Sequence, residues 1–327
     1  MVDSRESPGA SAISRLRLVF CGTPAFAVPS FEKLVSLPQF EVLAVYTQPD
    51  RPRGRGHEIS FSPIKEAALR ANIAVRQPAR IGVPEVEQEL RSFSPDAIVI
   101  IAYGQIIPAR LLDIPRLGWI NLHASLLPKY RGAAPINWAI ANGETVTGNT
   151  TMRIDAGMDT GDMLLQQELS IGGDETAPEL SERLAHSGSA LIVETLFGLQ
   201  GEQIVPRAQN HVAATLAPIL KREDGQIDWQ RTAHETYNRM RAFTPWPGAY
   251  SEFRGQLCHL SGRPASKSIS GAAPGDILFD GSGIFVACGG ATGLELSHVK
   301  REGRKQISAR EFAHGARLLP GERFARA

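Results

Sequence analysis

Apolar residues in the first two hundred positions alternate between short continuous runs and longer segments with helical spacing. The continuous runs are rich in β-branched residues and cover positions 16–20, 42–46 and 97–102. Amphipathic segments lie between them at 30–37 and 62–71. This alternation is typical of βαβ units, and strands that are apolar throughout are buried on both faces of a parallel sheet. We therefore expect an α/β fold with a doubly wound, mostly parallel sheet and ligands at the carboxyl ends of its strands.

A long amphipathic segment at 176–198 closes this first part. It starts with Thr176 as an N-cap, followed by proline at the second helical position and glutamate at the third, which predicts a helix. From 199 to 217 the periodicity is lost and Gly, Gln, Pro and Asn become frequent, as in a connector. The predicted organisation is a loose tail at 1–14, a first domain at 15–200, a linker at 201–217 and a second domain at 218–327.

The second domain carries short apolar runs at roughly ten-residue intervals, separated by Gly-rich turns. One short helix is expected at 232–242. The strand-like runs lie at 248–253, 256–261, 275–279, 283–289 and 293–299. This spacing predicts a small antiparallel barrel or sandwich.

Charge is divided unevenly, although the 327 residues have a net charge of only +1. Residues 1–217 hold 19 Lys and Arg against 23 Asp and Glu, whereas residues 218–327 hold 16 against 11. Residues 300–327 alone hold 8 against 3. A basic C-terminal part is typical of a module that contacts phosphates, although a mildly basic surface is also common on a solvated face.

Other features of composition bound the class of protein. No apolar run approaches the roughly 20 residues of a membrane span, and Asp3 and Glu6 do not suit a signal or transit peptide. Cys21, Cys258 and Cys288 lack the spacing of a zinc site or a disulfide framework, so we expect buried thiols. We predict a cytoplasmic, bacterial monomer with no membrane partner and no metal.

Polar residues with catalytic potential begin directly after the apolar run GWI. Asn121 and His123 stand two apart in an extended segment, so their side chains point to the same face and can converge on one oxygen. Further on, Asp155 and Asp159 lie in the Gly-punctuated segment RIDAGMDTGD, which can return a carboxylate to His123. Taken singly, each has a structural alternative: strand termination for Asn121, a satisfied structural histidine for His123 and a capped turn for Asp159.

The whole pattern is more specific than its parts. An N-x-H-x-S-L-L-P-x-x-R-G segment is followed, 36 residues after its histidine, by the aspartate of a G-x-D-x-G element. This pattern resembles the formyltetrahydrofolate-dependent formyltransferase superfamily, whose members share an Asn, a His and an Asp on a Rossmann-like sheet. The match falls on Asn121, His123 and Asp159, and these are the catalytic residues that the resemblance implies.

The resemblance also implies a donor and its pocket. The donor is 10-formyltetrahydrofolate, used as a co-substrate. The SLLP element shapes the formyl cavity, and the pterin end lies against the backbone of segments 101–108 and 154–159. The implied pocket residues are Ser125, Leu126, Leu127, Pro128, Ala102, Tyr103, Gly104 and Asp155.

The triad suits formyl transfer on physical grounds, because the reaction passes through a tetrahedral adduct with a negative oxygen and a positive nitrogen. Donors from Asn121 and protonated His123 can stabilise that oxygen, at about 3 kcal/mol per donor. A carboxylate beside an imidazole, here Asp159, favours the protonated ring, and either group can accept the proton that leaves the amine. This chemistry requires no metal.

Three segments resemble the branch of the superfamily that acts on tRNA: 21–34, 46–65 and 241–250. The resemblance implies initiator methionyl-tRNA as acceptor, with the second segment entering the acceptor stem. That segment carries Arg51, Arg53 and Arg55 among Pro and Gly residues at the end of a predicted strand. Arginine binds phosphates and base edges through a fixed fork of donors. A solvated basic turn is the alternative interpretation.

The resemblance further implies that the second domain is a barrel, OB-like in type, that lies along the inner side of the tRNA acceptor arm. Its basic excess suits phosphate contacts that do not depend on sequence. One departure is visible, because the connector LKREDG, which leads to Gly225, holds fewer lysines than the family leads us to expect. The candidate tRNA contacts are Lys221, Arg222, Lys300, Arg301, Arg304 and Lys305.

Three rival functions stay open at this point. A sugar-nucleotide N-formyltransferase would keep the triad but would have no use for the basic loop or the basic barrel. A dinucleotide-binding oxidoreductase could use the same kind of sheet, but CGTPAFA stands where G-x-G-x-x-G would open the first helix. A noncatalytic tRNA-binding protein would not need the intact triad.

Overall fold

The computed structural model describes residues 15–53, 58–279 and 283–325. The chain divides into two compact units. The first unit contains the residues up to 123 together with 150–166 and 185–209, and the second contains 124–149, 167–184 and the residues from 210 onward.

Strands and helices follow one another along the described residues. The strands are β1 (Leu16–Gly22), β2 (Phe40–Tyr46), β3 (Arg51–Arg53), β4 (Glu58–Ser60), β5 (Val75–Arg76), β6 (Ala97–Ile101), β7 (Trp119–His123), β8 (Arg131–Gly132), β9 (Val146–Arg153), β10 (Met163–Ser170), β11 (Leu216–Ala217), β12 (Tyr250–Phe253), β13 (Gln256–Pro264), β14 (Ile277–Phe279), β15 (Ile284–Cys288), β16 (Thr292–Arg301) and β17 (Ile307–Ser308). The helices are α1 (Val28–Ser36), α2 (Pro63–Arg70), α3 (Pro84–Phe93), α4 (Ala109–Leu112), α5 (Pro135–Ala141), α6 (Ala177–Gln200), α7 (Ala233–Ala242) and α8 (Ala309–Ala316).

A seven-stranded sheet forms the framework of the N-terminal part, in the order β10-β9-β7-β6-β1-β2-β5. Strands β5, β2, β1, β6 and β7 are parallel, and β9 is antiparallel to β7. The chain proceeds from β1 through β2 to β5 and then returns to β6 on the other side of β1. The strand order therefore reverses between β1 and β6, which is where open α/β sheets bind ligands. The expected α/β, mostly parallel sheet is confirmed.

Alternate residues of the central strands explain why both faces of the sheet are covered. Leu18 and Phe20 of β1 pack in one apolar cluster, while Val19 and Cys21 pack in a second cluster. All four are fully buried, and each buried apolar side chain contributes about 1.5–3 kcal/mol to the free energy of unfolding. The continuous apolar runs in the sequence therefore arise because these strands are buried on both faces of a doubly wound sheet.

At two predicted helix starts, a threonine bonds to the glutamate three residues later, and at Thr232 the two residues form a complete capping box. The Thr176 backbone N–H and hydroxyl donate to Oε2 of Glu179 at 2.8 and 2.7 Å. The corresponding bonds from Thr232 to Oε2 of Glu235 are also 2.8 and 2.7 Å. Each glutamate satisfies the backbone N–H of its threonine, and α6 and α7 begin where the sequence predicts.

The C-terminal part of the second unit is an antiparallel half-barrel, with strand order β12-β13-β16-β15-β14 and β17 paired to β16. Its core includes the buried rings of Trp229, Phe253, Phe312 and Phe324. The five strand-like runs of the sequence correspond to β12 through β16. The expected small β-barrel domain is confirmed in this half-barrel form.

The three cysteines are free and buried, as expected. Burial raises the pKa of each thiol above its ordinary value, to about 12 for Cys288. The thiols therefore stay protonated at neutral pH. Among the described helices, none is both long and apolar enough to cross a membrane.

Candidate active site

Strand β7 changes from apolar to polar along one face. Trp119 is buried in the core and its indole N–H donates to the carbonyl of Leu111 at 2.7 Å. Asn121 and His123 follow at two-residue intervals, so they share the face of Trp119 and lie towards the carboxyl end of the strand. Both side chains are nearly buried, at 8% and 6% exposure. The first residue of the strand is thus fixed in the core, and polar side chains lie towards its carboxyl end.

The amide of Asn121 makes no hydrogen bond to any other residue within the described ranges. It lies beside Ile100 of β6 on one side and Met152 of β9 on the other. Both neighbours are apolar side chains, and the Met152 sulfur is at most a weak acceptor. Nearly buried polar groups without a protein partner are rare, and such a group at a strand end suits contact with a substrate.

Asp159 returns to His123 by way of the loop between β9 and β10. The loop leaves β9 beside β7, where the N–H of Ile154 donates to the Trp119 carbonyl at 2.9 Å. Oδ2 of Asp159 then lies 3.7 Å from Nδ1 of His123. Asp159 has a φ of 52° and an 18% exposed side chain. The structure therefore brings together the three residues of the predicted triad in one unit.

Asp155, a predicted pocket residue, organises this loop. Its Oδ1 accepts the N–H of Gly157 at 3.0 Å and the hydroxyl of Thr160 at 2.7 Å. The glycines fit tightly, because a Cβ on Gly161 would lie 1.9 Å from the carbonyl oxygen of Arg153. The G-x-D-x-G pattern is thus explained by the close turns that carry Asp159.

The predicted folate segment after β6 lies at the reversal point of the sheet. The carbonyl of Tyr103 accepts the hydroxyl of Thr23, after β1, and the amide of Gln48, after β2, each at 3.1 Å. The Tyr103 ring is 1% exposed and packs in the core, so its backbone, rather than its phenol, faces this edge. Ala102 and Gly104 are exposed and both have positive φ, 48° and 84°.

Two large apolar side chains stand out on the predicted folate segments of the first unit. Ile106 is 91% exposed and Met158 is 71% exposed. Exposed apolar side chains on loops at a sheet's ligand-binding edge suit contact with an aromatic ligand.

The SLLP element belongs to the second unit, although it begins two residues after His123. The hydroxyl of Ser125 donates to the carbonyl of Lys129 at 2.6 Å, which closes the segment on itself. Leu127 is buried, whereas Leu126 and Pro128 are half-buried. A Cβ on Gly148 would lie 2.6 Å from Cδ2 of Leu126, so this glycine makes room for the element.

The predicted linker is docked on the end of the same motif. Strands β8 and β11 pair in parallel, so that Arg131 and Gly132 face Leu216 and Ala217. A Cβ on Gly132 would lie 2.6 Å from the Ala217 carbonyl oxygen, which explains the glycine of the R-G pair. Nη1 and Nη2 of the buried Arg131 both donate to Nδ1 of His211 at 3.2 Å.

The basic segment after β2 is a short hairpin rather than an open loop. Arg51 pairs with Ser60, and Arg53 pairs with Glu58. Arg51 is exposed, and the predicted contact Arg55 lies outside the described residues. The hairpin follows the carboxyl end of β2, and His123 ends β7, three strand spacings or about 14 Å away across the sheet. Both predicted sites therefore belong to one edge of the sheet.

A polar network holds the base of this hairpin. The Asp50 carboxylate accepts from Nζ of Lys65 and from the amide of Gln77, the latter at 2.9 Å. The Gln77 amide also donates to the carbonyl of Gln48 at 2.9 Å. Hydrogen bonds from Lys65 and Gln77 hold the pKa of Asp50 below its ordinary value. The carboxylate therefore stays charged at neutral pH.

Two of the basic candidates, Lys300 and Arg222, lie near His259. This residue pairs with Lys300 across β13 and β16 and packs against the ring of Tyr250, with centroids 5.9 Å apart. Burial, together with nearby Lys300 and Arg222, lowers the pKa of His259, and Glu302 opposes this effect. Arg301 is half-buried; the exposed candidates are Lys221, Arg222, Lys300, Arg304 and Lys305.

Sequence reasoning assigned no role to Thr23, Gln48 or Gln209, which contact the predicted folate and triad segments. Thr23 and Gln48 lie in segments that resemble the tRNA-acting branch, so that resemblance could have indicated a functional role for them. Gln209 stands in an aperiodic connector and carries no such signal. Within the described ranges, no group of three or more His, Cys, Asp or Glu side chains is arranged to hold a metal ion.

Comparison with known proteins gives a consistent result. The family described as "Formyl transferase" matches residues 16–196, and "Formyl transferase, C-terminal domain" matches residues 219–317. A methionyl-tRNA formyltransferase of Koribacter versatilis is 51% identical over 94% of this chain and 98% of its own length. One from Solibacter usitatus is 53% identical over the same shares.

The fold has relatives among solved structures. An N-formyltransferase from Helicobacter canadensis, in complex with folinic acid and dTDP-3-aminofucose, has a TM-score of 0.63 at 18% identity, over 86% of this chain and 98% of its own. That likeness supports the shared fold. The two matched domains, together with half-identical relatives of nearly equal extent, show that the chain belongs to the formyl transferase family.

Proposed function

We propose that this protein transfers the formyl group of 10-formyltetrahydrofolate to the α-amino group of methionine on initiator tRNA. The observation that carries the proposal is the convergence of Asn121, His123 and Asp159 on one nearly buried site. The imidazole lies 3.7 Å from the carboxylate, and the amide of Asn121 has no partner among the described residues. Two donors and a proton acceptor are the groups that this reaction needs.

The reaction balances without any other reactant. The amine nitrogen forms a bond to the formyl carbon, and the carbonyl π electrons move to oxygen. Asn121 and protonated His123 donate hydrogen bonds to that oxyanion. When it collapses, the bond to N10 of the folate breaks, and N10 takes up a proton equivalent to the one that the amine releases. The carboxylate of Asp159 accepts that proton from the amine and returns it to N10.

The folate donor is supported by the family and by the sheet edge. The related N-formyltransferase from Helicobacter canadensis was solved with folinic acid, a folate. Exposed Ile106 and Met158 offer apolar contact for a flat ring system. The remaining pocket residues of the proposal are those that the resemblance implies around the SLLP element and after β6.

The tRNA acceptor is supported by the relatives and by the basic surfaces. Relatives that are half identical to this chain are named methionyl-tRNA formyltransferase. The hairpin with Arg51 lies at the same sheet edge as the triad, and exposed Lys300 and Arg222 lie near each other on the half-barrel. Positive side chains on both elements suit phosphate contacts. The proposal includes a catalytic domain at 15–200, a linker at 201–217 and a tRNA-binding domain at 218–327.

The relatives come from bacteria, and we extend the proposal to a monomer that acts in the bacterial cytoplasm. A metal ion has no part in the proposed reaction, because donors and acid–base groups of the chain perform each step.

One assay tests donor, acceptor and discrimination together. The protein is incubated with formyl-labelled 10-formyltetrahydrofolate and with initiator methionyl-tRNA, elongator methionyl-tRNA or an amino-sugar nucleotide. We expect label on methionine of initiator tRNA, much less on elongator tRNA and none on the sugar nucleotide. Preferential labelling of the sugar nucleotide, or no labelling at all, would contradict the proposed function.

A further inference from the structure

Asp159 carries its carboxylate on a backbone that needs support. Its φ of 52° lies in the left-handed region, which aspartate adopts as a single residue held by its surroundings. The loop is anchored at its ends, where the N–H of Arg153 donates to the carbonyl of Asp162 at 2.9 Å. Anchored ends alone do not fix a residue in the middle of the loop.

Gln209 adds support from outside the loop, beside the bonds that Asp155 makes within it. It is 5% exposed, and its Nε2 donates to the carbonyl of Asp159 at 2.9 Å and to the carbonyl of Gly161 at 2.7 Å. The two hydrogens of one amide group are thereby used on two carbonyls that flank Thr160. A hydroxyl has one hydrogen and cannot do this, and a carboxylate has none.

The segment that carries Gln209 is itself fixed to the exit of the loop. Arg207 and Met163 exchange both backbone hydrogen bonds, each 2.9 Å long. Met163 begins β10 directly after the loop. Gln209 lies two residues beyond this pair. Its position is therefore fixed by backbone hydrogen bonds to the start of β10.

From this geometry we infer that Gln209 is a positioning residue for Asp159, and this inference rests on the proposed function. Gln209 holds the backbone of Asp159 and Gly161, and through it keeps the carboxylate 3.7 Å from His123. Displacement of a reacting group by about 1 Å can lower a rate by roughly 100-fold. The part of the chain predicted as a simple connector thus contributes to the catalytic geometry.

Substitutions at this position separate the roles of the amide. Q209A removes both hydrogen bonds, and we expect kcat to fall by about 10- to 100-fold. Q209E keeps the shape but sets a carboxylate against two carbonyls, so its kcat falls at least as far. Q203A is the matched control, because Gln203 lies in the same segment and is exposed, and it should keep the wild-type rate.

A double-mutant cycle distinguishes positioning from general support of the fold. If Gln209 acts through Asp159, Q209A lowers kcat in the wild-type background but by less than about twofold in D159N, because the aligned carboxylate is already gone. Equal losses of kcat in both backgrounds overturn the inference. A lower melting temperature with unchanged kcat in Q209A also overturns it, since that outcome describes a purely structural residue.

Hydrogen exchange gives a readout that does not depend on activity. Amides of residues 155–162 should exchange faster in Q209A than in the wild-type protein, and Q203A should leave them unchanged. Unchanged exchange in Q209A contradicts the inference even in an inactive protein. Faster exchange in a protein without formyl transfer would instead refute the proposed function and leave Gln209 as the support of this loop.

Discussion

Nδ1 of His123 lies 3.7 Å from Oδ2 of Asp159, at the end of β7. This separation exceeds the ordinary hydrogen-bond range of about 2.7–3.2 Å, but it is short enough for the carboxylate to act electrostatically on the imidazole in a nearly buried site. The pair is therefore more sensitive to the charge of residue 159 than to its shape.

Removal of that charge is the first test. D159N preserves the size of the side chain but abolishes the carboxylate, and we expect kcat to fall by about 10²- to 10⁴-fold. The dissociation constant of the folate should change little. Single-turnover formyl transfer and equilibrium folate binding measure the two effects. D162N, at an exposed position that follows the same loop, should behave as wild type; a D159N enzyme within threefold of wild type contradicts the assigned role.

The amide of Asn121 gives the second prediction. N121D is nearly isosteric, but it replaces two hydrogens by a negative charge at the place where an oxyanion is proposed to form. We expect kcat to fall by at least about 10²- to 10³-fold. N72D is a suitable control, because Asn72 is exposed with a φ of 54°, which aspartate tolerates. Near-normal turnover of N121D would remove Asn121 from the oxyanion site.

Two glycines give a matched test of the catalytic loop. An alanine at 161 places a Cβ 1.9 Å from the Arg153 carbonyl oxygen, whereas a Cβ at Gly173 meets nothing within 4 Å. G161A should lower both activity and the free energy of unfolding, the latter by about 1–3 kcal/mol, because the backbone must shift. G173A should stay within about 1 kcal/mol of wild type. Chemical denaturation and turnover assays compare them, and equal behaviour of the two variants contradicts the close turn.

The elements of the fold were predictable where the local sequence and the burial of its side chains favour the same secondary structure. The apolar run of β6 and the threonine–glutamate pairs that begin at Thr176 and Thr232 indicate their elements without any tertiary information. The place of Asn121 and His123 at a strand end follows from the same logic. The position of Asp159 beside His123 was predictable only from the combined motif, because the path of the loop that carries Asp159 depends on tertiary contacts.

The features that the sequence did not predict depend on long-range contacts. Gln209 contacts a backbone 48 to 50 positions earlier in the chain, and no local pattern encodes such a pair. The sequence of the basic segment predicts a loop, because Pro52 and the following glycines are poor strand formers. Its pairing of Arg51 with Ser60 is set by the hairpin as a whole.

The base of that hairpin gives the fourth prediction. D50N keeps the side-chain shape but removes the charge that pairs with Lys65, and its single carbonyl oxygen replaces the two oxygens that accept from Lys65 and Gln77. A hairpin with a looser base loses more conformational entropy on binding, so KM for tRNA should rise by about 3- to 10-fold. KM for the folate should not change. D113N, an exposed substitution elsewhere, serves as the control; a shift in the folate KM instead of the tRNA KM would show that Asp50 acts on another site.

His259 gives a pH-dependent prediction, because it lies near the positive charges of Lys300 and Arg222, with Glu302 nearby and the ring of Tyr250 against it. Burial and the two cations lower its pKa, so the free protein holds it neutral at pH 7. A bound phosphate would favour the protonated ring.

The sign of the effect follows from this arrangement. As pH falls from 7.5 towards the lowered pKa of His259, protonation adds a third positive charge to the patch, and affinity for tRNA should rise more steeply than in H259Q. Because the pKa is lower in the folded than in the unfolded protein, the same pH decrease removes part of the free energy of unfolding. Filter binding between pH 5.5 and 7.5, with H314Q as a control at an exposed histidine, measures the first effect. Identical pH profiles for H259Q and the wild-type protein would exclude His259 from the tRNA-binding surface.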